Sequence, residues 1–233
     1  MKAMILAAGR GERMRPLTDH TPKPLLKVNH KPLIFWCIEK LVSAGIHDIV
    51  VNVSHLAQSL YEALGQGKPW GANIQYSNET TALETAGGIA WALPLLDENP
   101  FLVINADVYT DYPFKQLIQE AQGLQANRLA HLVLVDNPAH HRQGDFGLQD
   151  THVNFSSSTL TFSGVGAYHP LLFSSVARGE KQRLATLLKQ PILQGLISGE
   201  HYQGLWSDVG TPQRLAELET LLSSMAKAPS HTP

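Results

Sequence analysis

Leu6-Ala7-Ala8-Gly9-Arg10-Gly11-Glu12-Arg13-Met14-Arg15-Pro16-Leu17-Thr18, continued by Thr21-Pro22-Lys23-Pro24-Leu25, is the stretch that decides the fold. It leaves a short apolar segment, Lys2–Ala7, that predicts a first strand. Two glycines just past a strand let backbone N–H groups approach a phosphate closely. Arg13, Arg15 and Lys23 add positive charge for a polyphosphate. From Gly9 to Pro32 no hydrophobic period is sustained, and irregular segments of that length in a compact domain are often functional. Two familiar phosphate loops do not fit. The dinucleotide fingerprint wants a third glycine where Met14 stands, and the P-loop's Gly-Lys-Ser/Thr is absent.

Outward from that loop the chain alternates. Helices are expected at Pro32–Ala44, His55–Leu64, Thr85–Leu96 and Tyr112–Gln122. Between them lie β-rich segments at Ile46–Val53, Ala72–Tyr76, Phe101–Asn105 and Leu129–Val135. This order predicts an α/β fold, with a mostly parallel central sheet and helices on both faces. Ligands of such sheets bind outside the carboxyl ends of the strands. The Gly9 loop and Asp107 both fall on that edge and can meet there. The later chain is less regular. Hairpin strands are expected at Phe146–Gln149 and His152–Phe155, then a strand at Thr159–Tyr168, a helix at Leu184–Leu196, an extended run at His201–Trp206 and a helix at Thr211–Met225.

Composition narrows the function classes. The chain has 233 residues, 43% of them hydrophobic and 16% charged, enough for a core without staples. Lys+Arg 18 against Asp+Glu 20 gives a net charge of −2, which disfavours a dedicated binder of nucleic acid or of an anionic membrane. One cysteine, Cys37, cannot form an intrachain disulfide and is expected to pack within a helix. No run reaches the ~20 apolar residues of a membrane helix, and the apolar N-terminal run is too short for a signal peptide, so a cytoplasmic location is expected. Eleven histidines include no zinc-type spacing, and no Gly-x-Ser-x-Gly elbow occurs.

Three further motifs carry chemistry. Glu79 precedes Leu83-Glu84-Thr85-Ala86-Gly87-Gly88, a turn that serves either a ligand or close helix–strand packing. Asn105-Ala106-Asp107-Val108 puts a carboxylate at a strand's carboxyl end facing the phosphate loop, which suits Mg²⁺ sharing one or two carboxylates with substrate phosphates. The fourth motif is Trp206-Ser207-Asp208-Val209-Gly210-Thr211.

Together these strings resemble the sugar-phosphate nucleotidyltransferases, which join a nucleoside triphosphate to a sugar 1-phosphate and release pyrophosphate. The resemblance runs from Lys2 to about Leu222 and implies a Rossmann-like three-layer nucleotidyltransferase fold. It implies one domain over 1–225, with a nucleotide-binding half at 1–128, a sugar-binding half at 129–225 and a flexible tail at 226–233. By the same resemblance Ala8, Gly9, Gly11 and Glu12 offer contacts to the triphosphate, Arg13 clamps it and Lys23 reaches the α-phosphate. Glu79, Thr85, Gly88 and Asn105 complete the nucleotide-binding set, with Glu84 standing where the family has its first glycine. Asp208 becomes the partner of Asp107 on Mg²⁺, and the catalytic set is Arg13, Lys23, Asp107 and Asp208.

The family's Glu-Lys-Pro sugar-phosphate motif is missing. Val135-Asp136-Asn137-Pro138-Ala139-His140-His141-Arg142-Gln143-Gly144-Asp145-Phe146 stands in its place. This segment, with Thr159–Gly164, is similar to the N-acetylmuramate α-1-phosphate uridylyltransferases of peptidoglycan recycling. That likeness implies UTP as donor and UDP-N-acetylmuramate as product. It makes Asp145 a sugar-hydroxyl candidate, with Arg142 or a nearby histidine facing the lactyl carboxylate. Mannose-1-phosphate guanylyltransferases and other NDP-sugar pyrophosphorylases share the same loop and aspartates. A non-catalytic nucleotide-binding regulatory subunit would have no chemical need for all four catalytic candidates.

Overall fold

A computed structural model describes residues 1–156 and 159–227. Its first half runs β1 (Ala3–Leu6), β2 (Lys27–Val28), β3 (Lys31–Pro32), α1 (Leu33–Ser43), β4 (Asp48–Val53), α2 (Ala57–Leu64), β5 (Asn73–Asn78), α3 (Glu84–Leu96), β6 (Phe101–Asn105), β7 (Val108–Thr110) and α4 (Phe114–Gln122). There follow β8 (Ala130–Val135), β9 (Phe146–Gln149), β10 (His152–Asn154), β11 (Thr159–Tyr168), α5 (Leu184–Leu193), β12 (Ile197–Tyr202), β13 (Trp206–Asp208) and α6 (Pro212–Lys227). Single 3₁₀ turns at Glu12–Met14 and Lys23–Leu25 shape the long loop after β1.

One sheet organises the molecule, in the order β5-β4-β1-β6-β11-β8-β12-β10-β9, and β9 also pairs with the start of β11. β4, β5, β1 and β6 are parallel neighbours, and β12 is parallel to β8. Only β11 and β10 run against the others, so the sheet is mostly parallel as expected. Strand alternation sorts the core into two layers. Ala3, Ile5, Leu102 and Ile104 face α1, α2 and α4, burying Ile34, Ile38, Leu60 and Leu117. Met4, Phe101 and Val103 face the opposite way, toward Ile89, Leu188 and Ile192 of α3 and α5. Helices therefore cover both faces, giving the three-layer α/β fold. Met14, Leu26, Val28 and Leu33 form a third cluster with Leu218 and Leu222, so α6 closes over the base of the long loop after β1.

Two readings are corrected. The expected extended run His201–Trp206 is instead the end of β12, a break at Gln203–Leu205, and the start of β13. β12 begins earlier, at Ile197, because parallel pairing with β8 holds it from there to Tyr202. Residues 226 and 227, expected in the tail, belong to α6, which continues to Lys227; the rest of the expected tail, 228–233, lies outside the described residues. No helix among the described residues is long and apolar enough to cross a membrane.

Candidate functional site

β1, β4 and β6 end side by side, and the site is built on those ends. Beyond β1 the chain turns at Gly11, whose φ of +63° is a left-handed value suited to glycine. A Cβ there would press at 3.1 Å on both Lys23 Cβ and Thr18 Cγ2. The Gly11 carbonyl accepts the Met14 N–H at 2.8 Å and the Thr18 hydroxyl at 2.9 Å, which fixes the loop. Met14, standing where a dinucleotide loop has its third glycine, is fully buried in the third cluster and anchors the turn. The loop is thus a rigid cradle built on a plug of side chain, rather than a glycine-packed helix start.

A cleft of about 660 Å³ opens at these strand ends. Ala8, Gly9, Gly11, Glu12, Arg13, Lys23, Glu79, Thr85, Asn105 and Asp107 all line it. Its lining is mixed in charge: the loop contributes Arg10, Glu12, Arg13 and Lys23, the last paired with Asp107, whereas α3 and the residues before it contribute Glu79 and Glu84. Arg10 and Arg13 are exposed, leaving cationic groups open to an anion. Gly88 does not line the cleft; a Cβ on it would lie 2.5 Å from Glu79 Oε1, so this glycine makes room for that carboxylate. Gly87 likewise lets the Glu180 carbonyl approach, with its N–H and that of Ala86 donating to the Gln182 carbonyl.

Asn52 was not anticipated. It is buried in β4, its Oδ1 accepts the Ala7 N–H at 2.7 Å, and its Nδ2 donates to Glu79 Oε1 at 2.6 Å. Glu79 also accepts the Leu83 N–H at 3.1 Å. Burial pushes the Glu79 carboxyl up from its ordinary value, and these two hydrogen bonds pull it part of the way back. A polar residue inside Ile49-Val50-Val51-Asn52-Val53 was the available signal, because buried polar groups need partners. Glu84 opens α3 at φ +61°, the conformation that the family's glycine would adopt freely. Its carboxylate faces Arg183 at 3.7 Å and Lys181 at 3.9 Å.

The two predicted metal aspartates come from distant parts of the chain but share one ladder. β13 pairs antiparallel with β7, Asp208 stands opposite Val108, and the Val209 N–H donates to the Asp107 carbonyl at 2.9 Å. Each carboxylate already holds a cation. Lys23 Nζ bonds Asp107 Oδ2. Arg214 Nη1 donates to Asp208 Oδ2 at 2.5 Å, and His140 Nε2 lies 3.1 Å from Asp208 Oδ1. Among the described residues no three His, Cys, Asp or Glu side chains gather closely enough to hold a metal by themselves. Two oxygen-donor carboxylates, both attracting positive charge, fit a hard cation that draws its remaining ligands from water and substrate phosphates. Asp208 does not line the cleft, although Gly210 does.

Arg214 was also missed. A basic side chain in the first turn of a helix opposes the helix dipole, which was its signal. The sugar candidates lie apart from the cleft. Asp145 accepts the Phe162 N–H at 2.8 Å and sits 3.1 Å from His141 Nε2, tying the segment before β9 to β11. Arg142 is exposed, and it is His140 of the same segment, not Arg142, that reaches Asp208. Cys37 is buried beneath Asn105 and Val108, with its thiol pushed up to about 12 by burial and then by Asp107, so it has no nucleophilic role.

Residues 2–155 match the family model described as nucleotidyl transferase. An N-acetylmuramate alpha-1-phosphate uridylyltransferase of Neisseria meningitidis serogroup B is 51% identical over 226 residues, covering 95% of this chain and 98% of the relative. A mannose-1-phosphate guanyltransferase of Yarrowia lipolytica is 33% identical, covering 97% of this chain and 66% of its own length. Among solved structures, HddC from Yersinia pseudotuberculosis complexed with GMP-PN superposes with a TM-score of 0.78 at 21% identity, over 95% of this chain and 99% of that one. The family match over residues 2–155 and the half-identity to the Neisseria relative decide the matter: the chain belongs to the nucleotidyl transferase family.

Proposed function

We propose that the protein transfers UMP from UTP to N-acetylmuramate α-1-phosphate, giving UDP-N-acetylmuramate and pyrophosphate, as a cytoplasmic step of peptidoglycan recycling. The observation that carries the substrate choice is the half-identity to the Neisseria enzyme over nearly the whole of both chains. The geometry supports the reaction type: one cleft lined by the basic side chains of the loop, Arg10, Arg13 and Lys23, which can meet phosphates.

A phosphate oxygen of the sugar 1-phosphate attacks the α-phosphorus in line, a new P–O bond forms, and the bond to the β-phosphate breaks with its electrons leaving on pyrophosphate. The second pKa of a phosphate monoester lies near ~6, so the nucleophile is already charged at neutral pH and needs no general base. The obstacle is the meeting of two anions, which positioning and charge neutralisation overcome. In our assignment the Gly9–Arg13 loop cradles the triphosphate through Ala8, Gly9, Gly11 and Glu12. Arg13 neutralises its outer phosphates. Lys23 moves from Asp107 to the α-phosphate. Asn52 and Glu79 keep the far end of the cleft in place, with Thr85 and Asn105 beside the nucleoside. Asp107 and Asp208 would hold a Mg²⁺ ion, which supplies Lewis-acid charge at the α-phosphate when bound. Arg142 and Asp145 remain our candidates toward the sugar.

Pyrophosphate release decides the reading. UTP with N-acetylmuramate 1-phosphate is expected to turn over well above GTP with mannose 1-phosphate, and the reverse preference would make the protein a guanylyltransferase. Asp107→Ala and Asp208→Ala are each expected to lose turnover by at least about a hundredfold, in line with removing a group that stabilises transition-state charge. Rates near wild type in either variant would remove that aspartate from the mechanism.

A further inference from the structure

The basic partner of Asp208 is held by more than one contact. Arg214 is only 12% exposed, and Asp208 is 28% exposed. The Arg214 N–H is capped by the Thr211 hydroxyl oxygen at 3.3 Å, which sets the first turn of α6 beneath the aspartate. Its guanidinium then lies across Gly210, where a Cβ would collide with it. Nη1 of Arg214 also meets His140 Nε2 at 2.5 Å, so one cation joins the Asp208 carboxylate to the 137–145 segment. A guanidinium in this place has a cost, since it sits at the positive end of α6. The negative charge of Asp208 offsets that cost.

We infer that Arg214 is a stand-in cation: it occupies Asp208 in the free protein and weakens the binding of a divalent ion there until a triphosphate arrives. The inference rests on Asp208 as a metal ligand, the assignment made above. A guanidinium bound at Asp208 Oδ2 repels a divalent ion at the same carboxylate and takes up part of its lone pairs. An ion binding alone must break a charge-assisted bond in a half-buried place. An ion entering with a triphosphate brings its own negative charge, and the released guanidinium can then rest on a phosphate or on the anionic sugar. Lys23 on Asp107 has the same arrangement on the loop side. Both carboxylates are therefore neutralised from within, which favours entry of metal and nucleotide together. His140, 41% exposed, accepts from the Arg214 guanidinium through Nε2 and so steadies that cation on Asp208.

The test is Mn²⁺ binding to the full chain without nucleotide, read from the free-ion electron paramagnetic signal. Arg214→Gln is expected to bind Mn²⁺ about tenfold more tightly than wild type, Arg214→Lys to stay close to wild type, and His140→Ala to tighten by a smaller factor. Adding UTP is expected to shrink the gap between Arg214→Gln and wild type. Unchanged or weaker binding in Arg214→Gln would overturn the inference and make Arg214 a strut for Asp208. Should Arg214→Gln fail to fold by circular dichroism, His140→Ala decides in its place, and no tightening there overturns the inference. Asp208→Asn separates the two layers of the argument: if it binds Mn²⁺ like wild type, the metal assignment itself has failed; if it loses binding while Arg214→Gln gains none, only the stand-in role has failed.

Discussion

Asn52 shows how one side chain can tie the site to the sheet. Its carboxamide joins the end of β1, through the Ala7 N–H, to the Glu79 carboxylate at the far end of the cleft. All three groups are buried, so removing the amide leaves the Ala7 N–H and one oxygen of Glu79 without partners. Asn52→Ala is expected to cost about 2–4 kcal/mol in urea unfolding and to raise the KM for UTP more than that for the sugar phosphate. A loss under about 1 kcal/mol would mean that water replaces the amide without penalty. Glu84 is the opposite case, a residue at odds with its backbone. At φ +61° it adopts a conformation costing about 1–2 kcal/mol for a residue with a Cβ. Its pairings with Lys181 and Arg183 are long and exposed and return little of that. Strain of this kind at a ligand cleft is often tied to function. The sequence marked Glu84 as a departure from the family pattern, but only the backbone shows that the glycine's conformation was retained.

Elements differ in how far the sequence alone reveals them. The strands β1, β4, β6 and β8 are legible because each is a largely apolar run, buried on both faces of the sheet. α1 and α4 are legible from their turn residues and one-sided burial. β7 and β13 are not, because each has three residues and exists only as the partner of the other, across a large separation in sequence. The same holds for β12, whose Ser198, Glu200 and His201 give no apolar pattern and whose place is set by pairing with β8 and β10. Phosphate-loop residues were readable as a motif. Asn52 and Arg214 were not, since their roles lie in partners brought together by folding. α3 shows what such tertiary fixing needs. Its N-terminal N–H groups at Ala86 and Gly87 are met by the Gln182 carbonyl, and Gln182 N–H returns to the Leu83 carbonyl at 3.0 Å. Gly87→Ala would push a methyl into the Glu180 carbonyl, a backbone atom that cannot rotate away. It is expected to lower stability by about 1–3 kcal/mol and to raise hydrogen exchange at Gln182 and Ala86 selectively. Uniform exchange across the chain would argue against a locally docked segment.

Across the whole molecule the sheet carries a polar junction well away from the cleft. His131 of β8 is buried, with Nδ1 3.0 Å from Ser198 Oγ of β12, while Nε2 lies 3.4 Å from Glu200 Oε1. Tyr112 and Gln116 donate to the same Glu200 carboxylate, and Glu120 of α4, paired with Arg128, stands 3.6 Å from the other side of the imidazole. One carboxylate thus links β8, β12 and α4. Burial alone would push the Glu200 carboxyl up, but the neighbouring His131 and the bonds from Tyr112 and Gln116 outweigh it and hold it below the ordinary glutamate range. Glu79 at the cleft is shifted in the opposite direction. The two therefore act oppositely on stability. A depressed folded value means that the Glu200 contribution is complete above the unfolded glutamate pKa, near ~4.3, and is lost as pH falls through the lower folded value. A raised value means that the Glu79 contribution is complete below the unfolded pKa and is lost as pH rises through the higher folded value. Acid unfolding should therefore report Glu200. Glu200→Gln is expected to be less stable than wild type at neutral pH and to lose less stability between pH 5 and pH 3, so that the two urea-midpoint curves converge on acidification. Curves that stay parallel over that window would show that the carboxylate titrates alike in the folded and unfolded chains, and that α4 is held to the sheet by its apolar face alone.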